Sequence, residues 1–237
     1  EVISLCEELL AFEPNHKQNW LLQMNALLKL ERPLEAIAIL EILQHKGLAQ
    51  QSELNTLGQL YFNEECYPKA VETFTAAMAT GASVKSFIRP LNALIGQGHH
   101  QEAQILLTAT RAHYSIEILS SEELWLLAEV QLLLIAGAEE QAETKCRQLL
   151  QRWPMSESGL MTLAQHLARK GDVDESRFFF ERAALLEKVQ VRAWRELGRL
   201  AWSDGDAHSA IQWLEKVDQA QPSMEMKETI KRLRDRL

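Results

Sequence analysis

Three arginines near the end of the sequence have the spacing of a single helix face. Arg192, Arg195 and Arg199 follow one another at i, i+3 and i+7, and residues at these intervals lie side by side on an α-helix. Trp202 comes three residues further on. Each guanidinium group presents a rigid fork of N–H donors that matches the two oxygens of a carboxylate. The stripe therefore predicts a surface that binds an acidic group.

The other reactive side chains form no recognisable catalytic or metal-binding pattern. The motifs HExxH, GxSxG, GxxxxGK[ST] and GxGxxG are absent, although they mark many hydrolases and nucleotide-binding sites. His99 and His100 are adjacent, but we expect them in an exposed turn, and a zinc site needs three or four convergent ligands. We expect His166 to be a hydrogen-bonded structural residue. The sequence thus predicts a protein that is not an enzyme, with no catalytic residue, no metal site and no cofactor.

The bulk composition indicates a well-packed and mostly helical chain. Of its 237 residues, 46% are hydrophobic, and only 10 are glycine and 6 are proline, unlike a disordered chain. The formal net charge of -8 disfavours a general attraction to nucleic acid or anionic lipid. The longest apolar run, residues 124–137, is interrupted by Glu129 and Gln131 and is too short for a membrane span. We expect no nucleic-acid partner and no membrane insertion.

Large, small and turn residues recur at an interval of about 34 positions. Subtracting 34 from Gly205 gives Gly171, and subtracting it again gives Gly137. Such a period predicts an array of two-helix units. The matching frames are 17–50, 51–83, 84–122, 123–156, 157–190 and 191–222. They follow a half repeat at 1–16 and precede a capping helix at 223–237. In the long frame 84–122 we expect the extra residues to lengthen a helix or loop and to bend the stack near residues 111–122.

The glycines of the array have two expected roles. Gly58 and Gly198 fall inside the first helix of a frame, where a missing side chain allows close approach of the second helix. The glycines between the two helices should adopt the left-handed conformation that ends a helix; they are Gly98, Gly137, Gly171 and Gly205. Asp172, Asp174 or Asp206 would then cap the helix that follows.

The three cysteines, Cys6, Cys66 and Cys146, are far apart and odd in number. This spacing favours neither a disulfide framework nor a zinc site. Cys6 and Cys146 fall where other frames have Leu or Phe, so we expect them to be small buried hydrophobes. Because the first residues read as the second half of a repeat and no targeting segment is visible, we expect a piece of a longer protein. Its localisation stays open between the cytoplasm and the bacterial periplasm.

The recurring pattern W-x2-L-G-x2-(Y)…G…A-x3-(F/L)-x2-A…P resembles the tetratricopeptide repeat, over nearly the whole chain. The resemblance implies an all-α fold, a right-handed α-solenoid of helix-turn-helix repeats in one domain, residues 1–237. About fourteen helices are expected, the last being a capping helix with apolar residues Met226, Ile230, Leu233 and Leu237. The stretch GLAQQSELNTLGQLYFNEECYPKA is similar to tetratricopeptide-repeat proteins associated with Gram-negative TonB energy-transduction systems, which implies a periplasmic role.

The resemblance also implies that the first helix of each repeat lines a concave groove. Amide side chains there can donate to and accept from an extended peptide backbone. The predicted partner-binding residues are Asn25, Asn55, Gln59, Asn63, Lys85, Arg89, Asn92, Gln165, Arg169, Arg192, Arg195, Arg199 and Trp202. The alternative for each is a solvated helix face, and for the arginines it is pairing with Glu225 or Glu228 of the capping helix.

Some members of the family hold a peptide carboxylate in a clamp of lysines and asparagines, and this sequence matches that clamp only in part. Asn25, Lys85 and Arg89 fall at clamp-like positions, but Leu21 replaces the first lysine and Asn55 lies one place off. The clamp is therefore not transferred to this chain.

The sequence accordingly predicts a noncatalytic scaffold or adaptor that binds a peptide segment or helix of a partner protein, including a segment with acidic residues. The alternative is a structural or self-association module of a larger, envelope-associated bacterial protein, associating through exposed ends or the apolar helix from Leu124 to Ile135.

Overall fold

The computed structural model describes residues 2–235, and this part of the chain is helical, with short turns between the helices. The described helices number fifteen: α1 (Val2–Phe12), α2 (Lys17–Lys29), α3 (Pro33–His45), α4 (Gln51–Asn63), α5 (Tyr67–Ala79), α6 (Lys85–Gly96), α7 (His100–His113), α8 (Ile116–Ser120), α9 (Glu123–Ile135), α10 (Glu139–Arg152), α11 (Glu157–Lys170), α12 (Val173–Ala183), α13 (Gln190–Ser203), α14 (Ala207–Ala220) and α15 (Met224–Arg234). None of these helices has the length and apolar character needed to cross a bilayer.

The chain divides into two compact units, residues 1–128 and 129–237, and the division falls within α9. In the first unit α2 packs on α3, α4 on α5 and α6 on α7, while α1 packs on α2. In the second unit α11 packs on α12 and α13 on α14, and α15 packs on α14. These helices therefore pack mainly against helices that are close to them in sequence.

One helix more is present than the fourteen expected. The additional helix is α8, which lies in the long frame 84–122. The Ser115 side chain accepts a hydrogen bond from the backbone N–H of Ile118 and so caps α8, and Leu119 is buried. The extra residues thus form a short helix, and the preceding helix, α7, ends at His113.

The glycines between the helices adopt the predicted left-handed conformation. Gly98, Gly137, Gly171 and Gly205 have φ angles of 86°, 74°, 90° and 83°. Asp172 and Asp206 accept backbone hydrogen bonds from Glu175 and Ser209 and cap α12 and α14. Asp174 lies inside α12. Two further turns have a non-glycine residue in this conformation, and these residues are Glu31 and Glu65.

The glycines inside helices permit close contact between paired helices, as predicted. A Cβ atom on Gly58 of α4 would lie 2.5 Å from Cε1 of Phe74 in α5. A Cβ atom on Gly198 of α13 would lie 3.0 Å from Cδ2 of Leu214 in α14. Gly159 of α11 permits a similar close contact, because a Cβ atom there would lie 2.6 Å from Cδ2 of Leu149 in α10. This role was not predicted from the sequence.

Pro90 lies inside α6, which begins at Lys85. A proline inside a helix removes a backbone hydrogen bond and can delay the start of the helix, but α6 begins five residues before Pro90. Cys6 and Cys146 are buried as predicted. Burial raises the pKa of the Cys146 thiol to about 12, and its S–H donates to the backbone oxygen of Gly159 at 3.5 Å.

Candidate partner-binding surface

The arginine stripe lies on the exposed face of α13. The opposite face of this helix is buried through Ala193, Leu197 and Ala201. Apolar residues at these intervals fix which side of the helix faces the core. The three arginines occupy other positions around the helix, and their side chains are all exposed to solvent.

The capping helix α15 forms the second wall of this surface. Ser223 accepts a hydrogen bond from the N–H of Met226 and starts the helix. Ile230 is buried in a cluster with Ile211 and Leu214 of α14. Met226 and Leu233 pack against the same cluster. Three of the four apolar residues predicted for the capping helix therefore face the core. The fourth, Leu237, lies outside the described residues.

A cavity of about 290 Å³ lies between α13, α14 and α15. It is lined by Arg195, Gly198, Arg199, Trp202, Leu214, Met226, Thr229 and Leu233. Three of the predicted residues, Arg195, Arg199 and Trp202, thus meet at one site. The lining combines two guanidinium groups with a largely apolar wall, which suits a ligand that carries a carboxylate beside an apolar group.

The two arginines of the cavity differ in their ion pairing. Arg199 pairs with Glu196 of its own helix at 2.8 Å. Among residues 2–235 no ion pair of Arg192 or Arg195 is described. The alternative was that these arginines pair with Glu225 or Glu228 of the capping helix. Glu228 instead pairs with Arg232, and within residues 2–235 no ion pair of an α13 arginine with Glu225 is described.

Arg192 belongs to the same face of α13 as Arg195 and Arg199 but does not line the cavity.

The two residues of α11 that were predicted to bind a partner, Gln165 and Arg169, differ in their contacts. Gln165 donates from Nε2 to Glu196 at 3.5 Å, so Glu196 accepts from both Gln165 and Arg199. Arg169 is exposed near the end of α11.

The predicted residues of the first unit lie on α2, α4 and α6. Most are exposed: Asn25, Gln59, Asn63, Lys85 and Arg89. Lys85 lies 3.7 Å from Glu122. Asn55 is half-buried, and its Oδ1 is buried without a described hydrogen-bond partner. The amide-rich face is thus open to solvent over most of its length within this unit.

Asn92 has a structural contact that its sequence position did not predict. Its Nδ2 donates to the backbone oxygen of Ile88 at 2.8 Å and to that of Leu124 at 3.1 Å. One of these hydrogen bonds lies within α6 and the other joins α6 to α9. Only the side-chain oxygen of Asn92 is left for a partner.

The adjacent histidines lie at the start of α7. His99 precedes α7, and its ring packs on Tyr67 with centroids 4.0 Å apart. His100 is half-buried, as is His99, so the exposed turn expected for this pair is not observed. Within residues 2–235 no cluster of side chains has the composition of a metal site.

His166 is buried beside an ionic network in the second unit, which fits the structural role expected for it. Its Nε2 lies 3.5 Å from Oε2 of Glu143. Glu143 also accepts hydrogen bonds from Lys170 and Arg147, at 2.9 Å each. Arg147 reaches Glu175 as well, at 2.6 and 2.7 Å, and so connects α10 with α12.

The network should make the second unit sensitive to acid. Hydrogen bonds from Lys170 and Arg147 hold the pKa of Glu143 below its ordinary value. A carboxylate with a lowered pKa stabilises the fold fully above its unfolded-state pKa of about 4.3, and this stabilisation is lost as the pH falls through the folded-state pKa. We expect Glu143→Gln to lower the free energy of unfolding at pH 7, and the difference from the unsubstituted protein to shrink steadily below about pH 4.3.

Urea unfolding at a series of pH values measures this difference. Glu181→Gln is the matched control, because Glu181 is exposed on α12 and has no described ion pair in residues 2–235. A gap between Glu143→Gln and the unsubstituted protein that stayed constant down to pH 3 would contradict the proposed role of the ionised carboxylate.

Several cavity residues could not be assigned to a binding site from the sequence. Met226 and Leu233 were predicted only as apolar residues of the capping helix. Thr229 gave no signal. The one sequence signal for this site was the four-residue spacing of Arg195 and Arg199, which matches that of the buried Ala193, Leu197 and Ala201 on the opposite face of α13.

Comparisons with known proteins agree with this architecture. A family model described as tetratricopeptide repeat matches residues 161–225, which include α13, α14 and the start of α15. No curated protein matches the chain in sequence.

Solved structures resemble the chain over most of its length. The C-terminal part of a TPR repeat-containing protein from Cytophaga hutchinsonii has a TM-score of 0.69 at 12% identity, covering 95% of this chain and 92% of that one. PilF of Pseudomonas aeruginosa has a TM-score of 0.59 at 17% identity, covering 90% and 95%. PilW, a widely conserved type IV pilus biogenesis factor, has a TM-score of 0.60 at 16% identity, covering 87% and 94%. At these identities the likeness concerns the fold.

Proposed function

Since residues 161–225 are tetratricopeptide repeats and the chain has the all-α fold of such solenoids, we propose that it is a noncatalytic scaffold that binds a peptide segment of a partner protein. The binding face in the second unit is the exposed side of α13 together with α15. The segment carries acidic residues, which the arginines of α13 contact.

The observation that carries this proposal is the position of Arg195. Its guanidinium lines the 290 Å³ cavity, is exposed and has no described ion pair within residues 2–235. The chain has a formal net charge of -8, so an exposed positive face on this helix is a local exception. Stacked helices present rigid surfaces that suit extended segments of other proteins.

Charge reversal at the cavity tests the proposal. We expect the double variant Arg195→Glu with Arg199→Glu to weaken binding of a blocked peptide of alternating aspartate and serine by about tenfold or more, because two attractive contacts become repulsive. Binding by the unsubstituted chain should also weaken when the ionic strength is raised from about 0.01 M to 0.15 M, since the Debye length falls from about 30 to 8 Å. Isothermal titration calorimetry measures both effects.

The control variant is Lys227→Glu with Lys231→Glu, which changes the net charge equally at two exposed α15 residues outside the cavity. We expect it to retain most of the affinity. If both double variants lost affinity to the same extent, the effect would come from net charge and the assignment to this face would be wrong.

The self-association alternative names two possible contacts, the exposed ends of the chain and the apolar helix from Leu124 to Ile135. In α9 most apolar residues are buried, and Leu124 and Ile135 are its exposed large apolar residues. An exposed apolar stripe is instead present on α1, at Val2, Leu5, Leu9 and Phe12. Self-association through this stripe stays a prediction, as does a periplasmic role.

A further inference from the structure

The cavity between α13 and α15 has features that the acidic-peptide proposal does not use. Besides its arginines, it is lined by Trp202, Leu214, Met226 and Leu233. Trp202 is 38% exposed, and Met226 and Leu233 are half-buried. A peptide that made only charge contacts would leave this apolar wall in water, at a cost that grows with its area.

The size of the cavity restricts what can fill it. Sites for small molecules are usually about 300–1,000 Å³, so a cavity of about 290 Å³ is at the lower limit. It has room for one large side chain and not for a helix. The absence of a side chain on Gly198, whose Cβ would lie 3.0 Å from Leu214, keeps the two helices of this hairpin close and defines the floor.

The lining favours an aromatic ring in particular. Trp202 offers an aromatic partner for edge or offset stacking. The thioether of Met226 makes favourable contacts with ring edges, and the guanidinium of Arg195 can lie over a ring face. Each of these contacts is stronger for phenylalanine or tyrosine than for an aliphatic side chain of equal volume.

We propose that this cavity anchors one aromatic side chain of the bound peptide, and that Arg195 and Arg199 hold carboxylates of the residues next to it. The recognised element is thus an aromatic residue flanked by Asp or Glu within an extended segment. This inference rests on the proposed function, because it names the anchor of the same binding face.

Three blocked peptides of serine and glycine test the anchor. The first has a central Asp-Phe-Asp, the second Asp-Ala-Asp and the third Asn-Phe-Asn. They are titrated into the full chain carrying ¹³C-methyl methionine, with the Met226 signal assigned through Met226→Leu. We expect the first peptide to shift the Met226 methyl signal in a saturable way and to bind at least about tenfold more tightly than each of the other two.

A cavity-filling substitution provides the matched test on the protein side. Thr229→Trp adds a large side chain to the α15 wall without changing any charge. Lys227→Trp introduces the same side chain on the same helix outside the cavity. We expect Thr229→Trp to bind Asp-Phe-Asp no better than Asp-Ala-Asp, and Lys227→Trp to keep the preference for phenylalanine. Thermal unfolding of each variant checks that the fold is retained.

The outcomes separate the anchor from the proposed function. Equal affinity for Asp-Phe-Asp and Asp-Ala-Asp, with Met226 unmoved, would overturn the anchor and leave acidic-peptide binding in place. Absence of binding by all three peptides would overturn both. A Met226 signal that shifted with protein concentration alone would show that a second copy occupies the cavity, which would also overturn the anchor.

Discussion

Replacing Trp125 by alanine is expected to lower the free energy of unfolding by about 3–5 kcal/mol, as for other large aromatic residues removed from a core. Trp125 is fully buried. Its indole Nε1 donates to Oγ1 of Thr110 in α7 at 2.9 Å, and both groups are buried. The substitution removes apolar contacts and leaves a cavity between helices that surround the inserted α8. Chemical denaturation followed by circular dichroism measures the loss.

Trp125→Phe separates packing from the hydrogen bond. Phenylalanine keeps most of the buried aromatic volume and loses only the N–H donor, so we expect a cost of about 1 kcal/mol. The Thr110 hydroxyl keeps its own donation to the backbone oxygen of Leu107 at 2.7 Å. If Phe and Ala at this position were equally destabilising, the hydrogen bond and not the packing would be the main contribution, contrary to our interpretation.

Gly58→Ala should also destabilise the first unit, although alanine is the better helix former. The new Cβ would lie 2.5 and 2.6 Å from ring carbons of Phe74, and the Phe74 ring is fully buried against Phe87. Overpacking of this kind costs about 1–3 kcal/mol, which exceeds the gain of about 0.5–1 kcal/mol from replacing a helical glycine. The midpoint of urea unfolding should therefore fall.

Gly96→Ala is the matched control for this prediction. Gly96 also lies in a helix, α6, and a Cβ there would meet no atom within 4 Å. We expect this substitution to be neutral or stabilising. Combining Gly58→Ala with Phe74→Leu should recover part of the loss relative to the sum of the single changes, because the smaller side chain makes room. Strictly additive effects would show that the two residues do not compete for space.

The repeat architecture could be predicted because small residues have a direct geometric reason to recur. Gly58 and Gly198 are favoured where helices approach closely, and Gly171 and Gly205 are favoured where the backbone turns left-handed. These preferences are local, so they leave a pattern in the sequence. The fully buried alanines and leucines of the hairpins follow the same period for the same reason.

Features that depend on distant contacts left no such pattern. The helix α8 depends on Ser115 as a cap and on burial of Leu119, and its residues read only as an interruption of the period. Glu129 was interpreted as a polar break in an apolar run, yet it is 3% exposed and lies 3.2 Å from Nζ of Lys145. This buried carboxylate pairs with a lysine that lies sixteen positions later in the sequence.

The candidate site likewise combines features that local sequence determines with features that depend on residues far apart in the chain. Helical spacing was enough to predict that Arg195 and Arg199 share a face with Trp202. The gap beside them depends on how far α15 lies from α13, which no single segment determines. Asn92 illustrates the opposite error, since its side-chain amide donates to the carbonyl group of Ile88 in its own helix and to that of Leu124, thirty-two residues away along the chain.

The packing of each helix against near neighbours in sequence has a consequence for how the chain reaches its native state. Short connecting turns close at a small entropy cost, and proteins dominated by such local contacts fold in microseconds to milliseconds. Each hairpin can therefore form before remote segments are in place. A nascent chain with this arrangement can acquire structure progressively, one hairpin after another, as it is synthesised.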